Sequence, residues 1–394
     1  MTIRQGASAL SVATRADRDR RLRRRDRWWQ AGAVTVAVSA GSFAMFGGTA
    51  GDRLGAAQRL SAPTSLPHRI ATMQTVLWAH VDRAKNIDLA ALVGFDDSHR
   101  IANVVLVPTA TAVEVPALDI QAVNSLVKSG SQSTFATAVA NATGIRIDRT
   151  ALVDDTTLAK LVAITPRFAV NLRAPVSVDD GALVLSAGPQ DVGASTAVRL
   201  MQGIEPSGSI AHLVTVQAIW QGWLSALAAN PIAMTRLAGV MSGDVFVRLA
   251  RIIDNVHFDT LPVSSVAASD TERFEIRSRD LANLVVDRFS LAQLGFHGAR
   301  PATEILNGVG KPGLAQAMAN LVVPAGSEVR LTGNTVRFDQ RSTRVVYYRD
   351  RDRAFGDYLV RQLGVGQVVR GTNPISVVDI TVVIGRDFAA RFPH

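Results

Sequence analysis

The chain has 394 residues, 47% of them hydrophobic and 19% charged, with a formal net charge of +9. That length suits two domains, and that composition buries real cores, which excludes a mainly disordered chain. Cysteine is absent, which also excludes disulfides, thiolate metal sites and a cysteine nucleophile.

The positive charge is unevenly placed. Residues 1–27 hold nine arginines and three aspartates, a net of +6, which leaves +3 for the remaining 367 residues. Basic character of this kind is a tail and not a groove, so no nucleic-acid partner is expected. From Trp28 to Gly51 there are 24 residues without a charge, and a bilayer-spanning helix needs about 20. Trp28 and Trp29 stand where an aromatic belt belongs, directly after the arginine block. The positive-inside rule keeps that block in the cytoplasm. The expectation is a basic cytoplasmic tail at 1–27, a single transmembrane helix at 28–51, a linker at 52–72, and extracytoplasmic domains beyond it. A signal peptide cleaved near Gly48 and Ala50 is the rival reading, and a buried soluble helix is a third.

After the linker the chain reads as strands. TVLWAHV, LAALVGF, NVVLVP and AVEV, within residues 73–115, are short apolar runs of the kind found in sheets buried on both faces. Helices are expected at 119–129 and 133–143. RTALVDDTTLAKLV reads as a strand passing into a helix capped by Asp154 or Asp155. Strands follow near 167–172 and 182–185, then a helix after Gln190 with Asp191 as its cap. Longer helices are expected at 208–229, with Trp220 and Trp223 on the apolar side, and at 243–253. Residues 254–277 read as strand and connection, and 278–288 as a helix. Pro301 opens a second unit: strand 302–306, helix 313–322, strands 328–333 and 343–348, helix 351–363, and strands 367–369 and 377–384. That order describes a compact α/β unit.

The turn into this unit's first helix carries Gly308, Gly310 and Gly313 as G-x-G-x-x-G. Between a strand and a helix, this spacing suits a dinucleotide pyrophosphate. The acid that should follow about 20 residues later is missing, because the next strand ends in RLTGN. Lys311 is followed by Pro312 and not by Ser or Thr, so the stretch is no P-loop. A structural strand-to-helix turn is expected, with no cofactor.

Together, ILNGVGKPGLAQAMANLV, VRLTGN, TRVVYYRDRDRAFGDYLVRQLG and DITVVIGRDF resemble the LytR C-terminal domain. The matching positions are Asn307, Gly308, Gly313, Leu314, Ala315, Thr343, Val345, Gly385 and Asp387. The resemblance places this domain at 301–390 and implies an accessory or binding module of the cell envelope. Upstream, NVVLVPTATAVEVPALDIQAVNSL, ATGIRIDRTALVDDTTLAKLV and SGSIAHLVTVQAIWQGWLSAL resemble the LytR-CpsA-Psr (LCP) domain. The resemblance places an LCP-like domain at 73–255 and leaves 256–300 as a connection. The implied fold class is α/β, a central sheet flanked by helices, followed by a small α/β domain and preceded by one transmembrane helix.

Active LCP members are thought to move a glycopolymer from a polyprenyl pyrophosphate onto peptidoglycan. That chemistry calls for arginines and a divalent cation held by carboxylates. This sequence departs at those places. Thr109 and Ala110 follow Pro108 where the family has Arg-Asp. Ser209 stands at the aspartate position of the helix motif, and His212 and Thr215 stand at its two arginine positions; Gln217 is retained. Asp82 and Asp88 are the remnant acids. The expectation is therefore no catalytic residue and a non-catalytic, LCP-like binding role in glycopolymer assembly. Expected partners are a polyprenyl lipid or cell-wall glycan, the membrane through the N-terminal helix, and other envelope proteins. The alternative is an active phosphotransferase using Mg2+, with Asp82 or Asp88 on the metal. Elsewhere the seven histidines show no ligand spacing. Asp96–Asp97 reads as a turn, and RDRDR at 349–353 as a solvated face.

Overall fold

Side-chain alternation in the first three strands sets the architecture. The computed structural model describes residues 72–392 except 179–182, 204–208, 267–272 and 373–376. The tail expected at 1–27 and the transmembrane helix expected at 28–51 lie outside the described residues. Among those described, no helix is long and apolar enough to cross a membrane.

Strands β1 (Met73–Val81), β2 (Ile87–Asp96) and β3 (Ile101–Val107) form an antiparallel meander. Strand β6 (Arg149–Val153) adds in parallel to β1, and β11 (Val256–Thr260) in parallel to β3. The sheet order is β11-β3-β2-β1-β6. Period-two alternation sends Trp78, Val93 and Val104 to one core and Leu77, Leu92 and Val105 to the other. Both faces are covered, which is why these strands read as continuous apolar runs.

The Trp78 face is covered by α3 (Asp155–Ala163), α4 (Ala194–Gln202), α5 (Ile210–Ala228), α6 (Pro231–Ala238) and α7 (Gly243–Arg251). Four fully buried aromatics fill the layer. Trp78 meets Trp220 at 5.3 Å and Phe246 at 5.6 Å between ring centroids, and Trp223 meets Phe246 at 4.9 Å. Edge-on contacts of this kind add to area burial. The opposite face is covered by α2 (Gln132–Thr143), following the short α1 (Leu126–Ser129), and by α8 (Ser278–Phe289).

Several expectations change here. Residues 119–129 are not one helix: β4 (Ala112–Glu114) and β5 (Ile120–Ala122) form a hairpin before a 3-10 turn and α1. Asp191 does not cap a helix. It lies in β10 (Gly188–Gly193), which pairs antiparallel with β7 (Arg167–Leu172), and its carboxylate meets Arg167 at 2.8 Å. The segment 256–300, expected as a connection, supplies β11 to the central sheet and α8 to one of its faces. The hairpin of β12 (Val263–Val266) and β13 (Arg273–Ile276) lies between them, and β8 (Val176–Val178) pairs with β9 (Leu183–Leu185). Asp154 does cap α3, accepting from Thr157 N at 2.7 Å.

The C-terminal lobe holds β14 (Ala302–Asn307), α9 (Leu314–Val322), β15 (Glu328–Asn334), β16 (Arg344–Tyr347), α10 (Arg353–Leu363), β17 (Gln367–Arg370), β18 (Ile380–Ile384) and α11 (Arg386–Ala389). Its sheet order is β15-β14-β18-β16-β17. The lobes are joined by α2. The Asn141 amide donates to Val329 O and accepts from Val329 N, both at 2.9 Å, and so acts as a partner for edge strand β15. Thr137 donates to Asn320 Oδ1 at 2.7 Å, and Arg300 donates to the carbonyls of Asn141 and Ser327.

Candidate functional site

One edge of the central sheet gathers the C-terminal ends of β1, β3 and β6 and the N-terminal end of β2, as their registers require. On the Trp78 face β1 ends with His80, a titratable group in an otherwise apolar row. The β1–β2 register slips between His80, which pairs with Leu89, and Val81, which pairs with Ile87. The slip leaves Asp88 unpaired beside the imidazole, as a bulge does. Asp88 Oδ1 lies 2.6 Å from His80 Nδ1, and Asp155 Oδ1 lies 3.3 Å from Nε2. His80 is 0% exposed, and its Nε2 has no partner of hydrogen-bond geometry among the described residues. Asp155, in the first turn of α3, also accepts from Gln202 at the end of α4 (2.8 Å) and faces Arg83 at 3.6 Å.

The remnant acids take different roles. Asp88 belongs to this cluster. Asp82 closes the β1–β2 turn by accepting from Asn86 N at 2.7 Å and Asn86 Nδ2 at 3.0 Å. Burial raises its pKa, but these hydrogen bonds outweigh burial and hold the carboxyl below its usual value. The hydrogen bonds from Thr157 likewise keep Asp154 low.

Helix α5 begins at the same edge. Ser209 caps it, accepting from His212 N at 3.1 Å. His212 Nε2 sits 3.0 Å from Leu200 O at the end of α4, so its ring ties two helices together. Burial pushes the His212 pKa down, against the opposing effects of the Leu200 carbonyl and the Asp88 carboxylate. The net shift favours the neutral imidazole. Thr215 is half-buried on α5. Thr109 is buried after β3, and its carbonyl accepts from Asn124 N at 2.8 Å. Ala110 packs against the Leu77 core, and its carbonyl accepts from Phe274 N.

The structure thus brings His80, Asp88, Asp155, Gln202 and His212 together and gives Thr109, Ala110 and Ser209 structural work. His80, Asp155 and Gln202 were missed by sequence reasoning. The available signal was a histidine inside an apolar strand, followed by an acid at the start of the next. Around the β1–β2 turn and the start of α3, the described acids Asp82, Asp88, Asp154 and Asp155 outnumber the cations Arg83 and Lys85. Among the described residues no three His, Asp or Glu side chains converge so as to hold a metal ion.

The glycine turn is built for the fold. Asn307 Oδ1 accepts from Val309 N and Gly310 N, and Asn307 Nδ2 donates to Lys311 O. Gly310 has φ +79°, and the Phe338 ring lies where a substituent at that position would fall, 2.8 Å away. A Cβ on Gly308 would lie 2.6 Å from Ile384 O. Distant motif residues also meet: Thr343 N and Oγ1 donate to Asp387 Oδ1 at 2.8 and 2.7 Å, and Gly385 N donates to Thr343 Oγ1 at 3.0 Å.

Residues 302–388 match the family model described as LytR cell envelope-related transcriptional attenuator, the LytR C-terminal family. No curated protein matches the chain. Among solved structures the chain is similar to TagV of B. subtilis, with 12% identity over 56% of this chain and 98% of that one, at a TM-score of 0.49. It is similar to TagT bound to LI-WTA, with 14% identity over 56% and 91% and a TM-score of 0.47. A LytR-Csp2A-Psr enzyme from Actinomyces oris is similar at 17% identity over 57% and 96%, with a TM-score of 0.45.

Proposed function

We propose, on the premise that residues 302–388 form a LytR C-terminal module, that this is a cell-envelope protein whose first lobe binds an envelope component and does not transfer it. The carrying observation is the use made of the positions that the sequence resemblance matches to the charged centre of LCP transferases. Thr109 and Ala110 lend carbonyls to the fold, Ser209 caps α5, and His212 ties two helices together. Pyrophosphate transfer needs guanidinium groups aimed at developing negative charge, and losing one such contact costs about 10²–10³ in rate. The carboxylates around the β1–β2 turn and the start of α3 repel phosphate. In this reading a helix at 28–51 holds the chain in the membrane with both lobes outside. The ligand is a polyprenyl lipid or a wall glycan.

The test isolates the chemistry in vitro. Asp82→Asn together with Asp88→Asn removes the two acids that the transferase alternative places on Mg2+, and melting of the purified variant reports whether it still folds. The proposal expects neither the wild type nor this variant to release the carrier from a polyprenyl-pyrophosphate-linked glycopolymer in the presence of Mg2+. Release by the wild type that the variant loses with unchanged melting contradicts it.

A further inference from the structure

The C-terminal lobe carries a feature that neither the glycine turn nor the sheet edge accounts for. Helix α10 crosses from β16 to its parallel neighbour β17, which is the last strand of its sheet. Between the helix and these strands lies an open groove of about 480 Å³, lined by Tyr347, Arg353, Asp357, Val360, Arg361, Val368 and Arg370. Positions 353, 357, 360 and 361 fall on one side of α10, because three- and four-residue steps repeat along a helix face. Arg370 pairs in register with Tyr347, so both stand at the carboxyl ends of parallel strands, where open α/β sheets take ligands.

The lining carries three guanidinium groups and one carboxylate. Their existing pairings are loose: Arg353 reaches Asp357 only at 3.9 Å, and Arg370 reaches Asp350 at 3.6 Å. Arg361 makes no ion pair among the described residues, and all three arginines are exposed. Exposed loose pairs contribute little and yield readily to a better acceptor. Arg353 and Arg361 are eight residues apart, which is about 12 Å along the helix axis. Tyr347, Val360 and Val368 lay an apolar floor between them. A single small anion would satisfy one end of this groove only. An extended chain with repeated phosphates meets both ends, and its carbon skeleton lies on the floor. Guanidinium forks favour phosphate through paired hydrogen bonds.

We propose that the groove between α10 and β17 binds an extended polymer bearing phosphate groups, with Arg353, Arg361 and Arg370 as its ligands. The inference stands apart from the reading of the sheet edge, since none of these residues belongs to it.

The test uses the full chain in detergent and reads hydrogen exchange peptide by peptide, so that binding to the arginine-rich N-terminus registers separately. The probes are a glycerol-phosphate polymer, inorganic phosphate, poly-glutamate and nanodiscs of anionic phospholipid. The expected result is slowed exchange across 353–370 with the glycerol-phosphate polymer and not with the other three. Arg353→Ala/Arg361→Ala/Arg370→Ala abolishes that protection and weakens the local affinity at least about tenfold, because charge-assisted pairs carry it. Asp357→Asn leaves the arginines in place, removes the competing carboxylate, and tightens binding about two- to fivefold. Protection that persists in the triple variant overturns the proposal, as does its absence in the wild type. Equal protection by poly-glutamate assigns the groove to acidic peptides, and equal protection by the nanodiscs assigns it to lipid headgroups. Either result also overturns it.

Discussion

At the residue scale, the informative side chains are buried polar ones with an incomplete set of partners. Asp352, at the entry to α10, is 8% exposed, and its Oδ2 has no hydrogen-bond partner among the described residues. Burial pushes its carboxyl above the usual value and Asp379 adds to the shift, while Arg351 and Arg349 oppose it. An acid whose folded pKa is raised binds its proton more tightly in the fold than in the unfolded chain. Its ionisation therefore removes stability as pH rises from the ordinary value of 3.8 through the raised one. Asp352→Asn should raise the melting temperature at pH 7 by about 2–4 °C and leave it nearly unchanged at pH 3. Thermal melts at the two pH values check this, and an equal shift at both would assign the gain to something other than ionisation. His80 has the same character in another setting. A lone histidine in TVLWAHV is visible in the sequence, but its two carboxylates come from a strand bulge and from a helix 75 positions on. Neither follows from local pattern.

At the element scale, packing overrides local preference in identifiable places. Asp191 has the right chemistry for a helix cap, yet β10 pairs with β7, and the helix starts three residues later. That pairing is tertiary, so a capping argument could not anticipate it. The C-terminal strands, by contrast, were legible because short Val-rich runs there are bounded by Gly, Asn and Asp turns. The approach of α5 to β7 gives a sharp test. A Cβ on Gly222 would sit 2.1 Å from Ala169 O, well inside contact distance and against backbone. Gly222→Ala should destabilise by about 1–3 kcal/mol or more through overpacking, even though alanine is the better helix former. Denaturant unfolding measures the difference. A stabilised variant would mean that α5 stands off the strand.

At the scale of the whole molecule, two lobes share one helix. Asn141 is buried and satisfies both backbone groups of Val329 across the junction. Asn141→Ala orphans a buried N–H and a buried C=O, each worth about 1–3 kcal/mol. It should lower stability and split one calorimetric transition into two; a single unshifted transition would show that the junction contributes nothing. The family resemblance reached the C-terminal lobe from sequence, where residues 302–388 match the family model, because spaced motifs such as Thr343, Gly385 and Asp387 meet at one point in the fold. It did not reveal what Thr109, Ser209 and His212 engage in the fold. The claim that this sheet edge does not process a pyrophosphate is tested most directly by incubating the purified full chain with a polyprenyl-pyrophosphate-linked glycopolymer, peptidoglycan and Mg2+. The account predicts neither hydrolysis nor transfer above a protein-free blank. Release of the polyprenyl carrier that depends on the protein and scales with its concentration would contradict it.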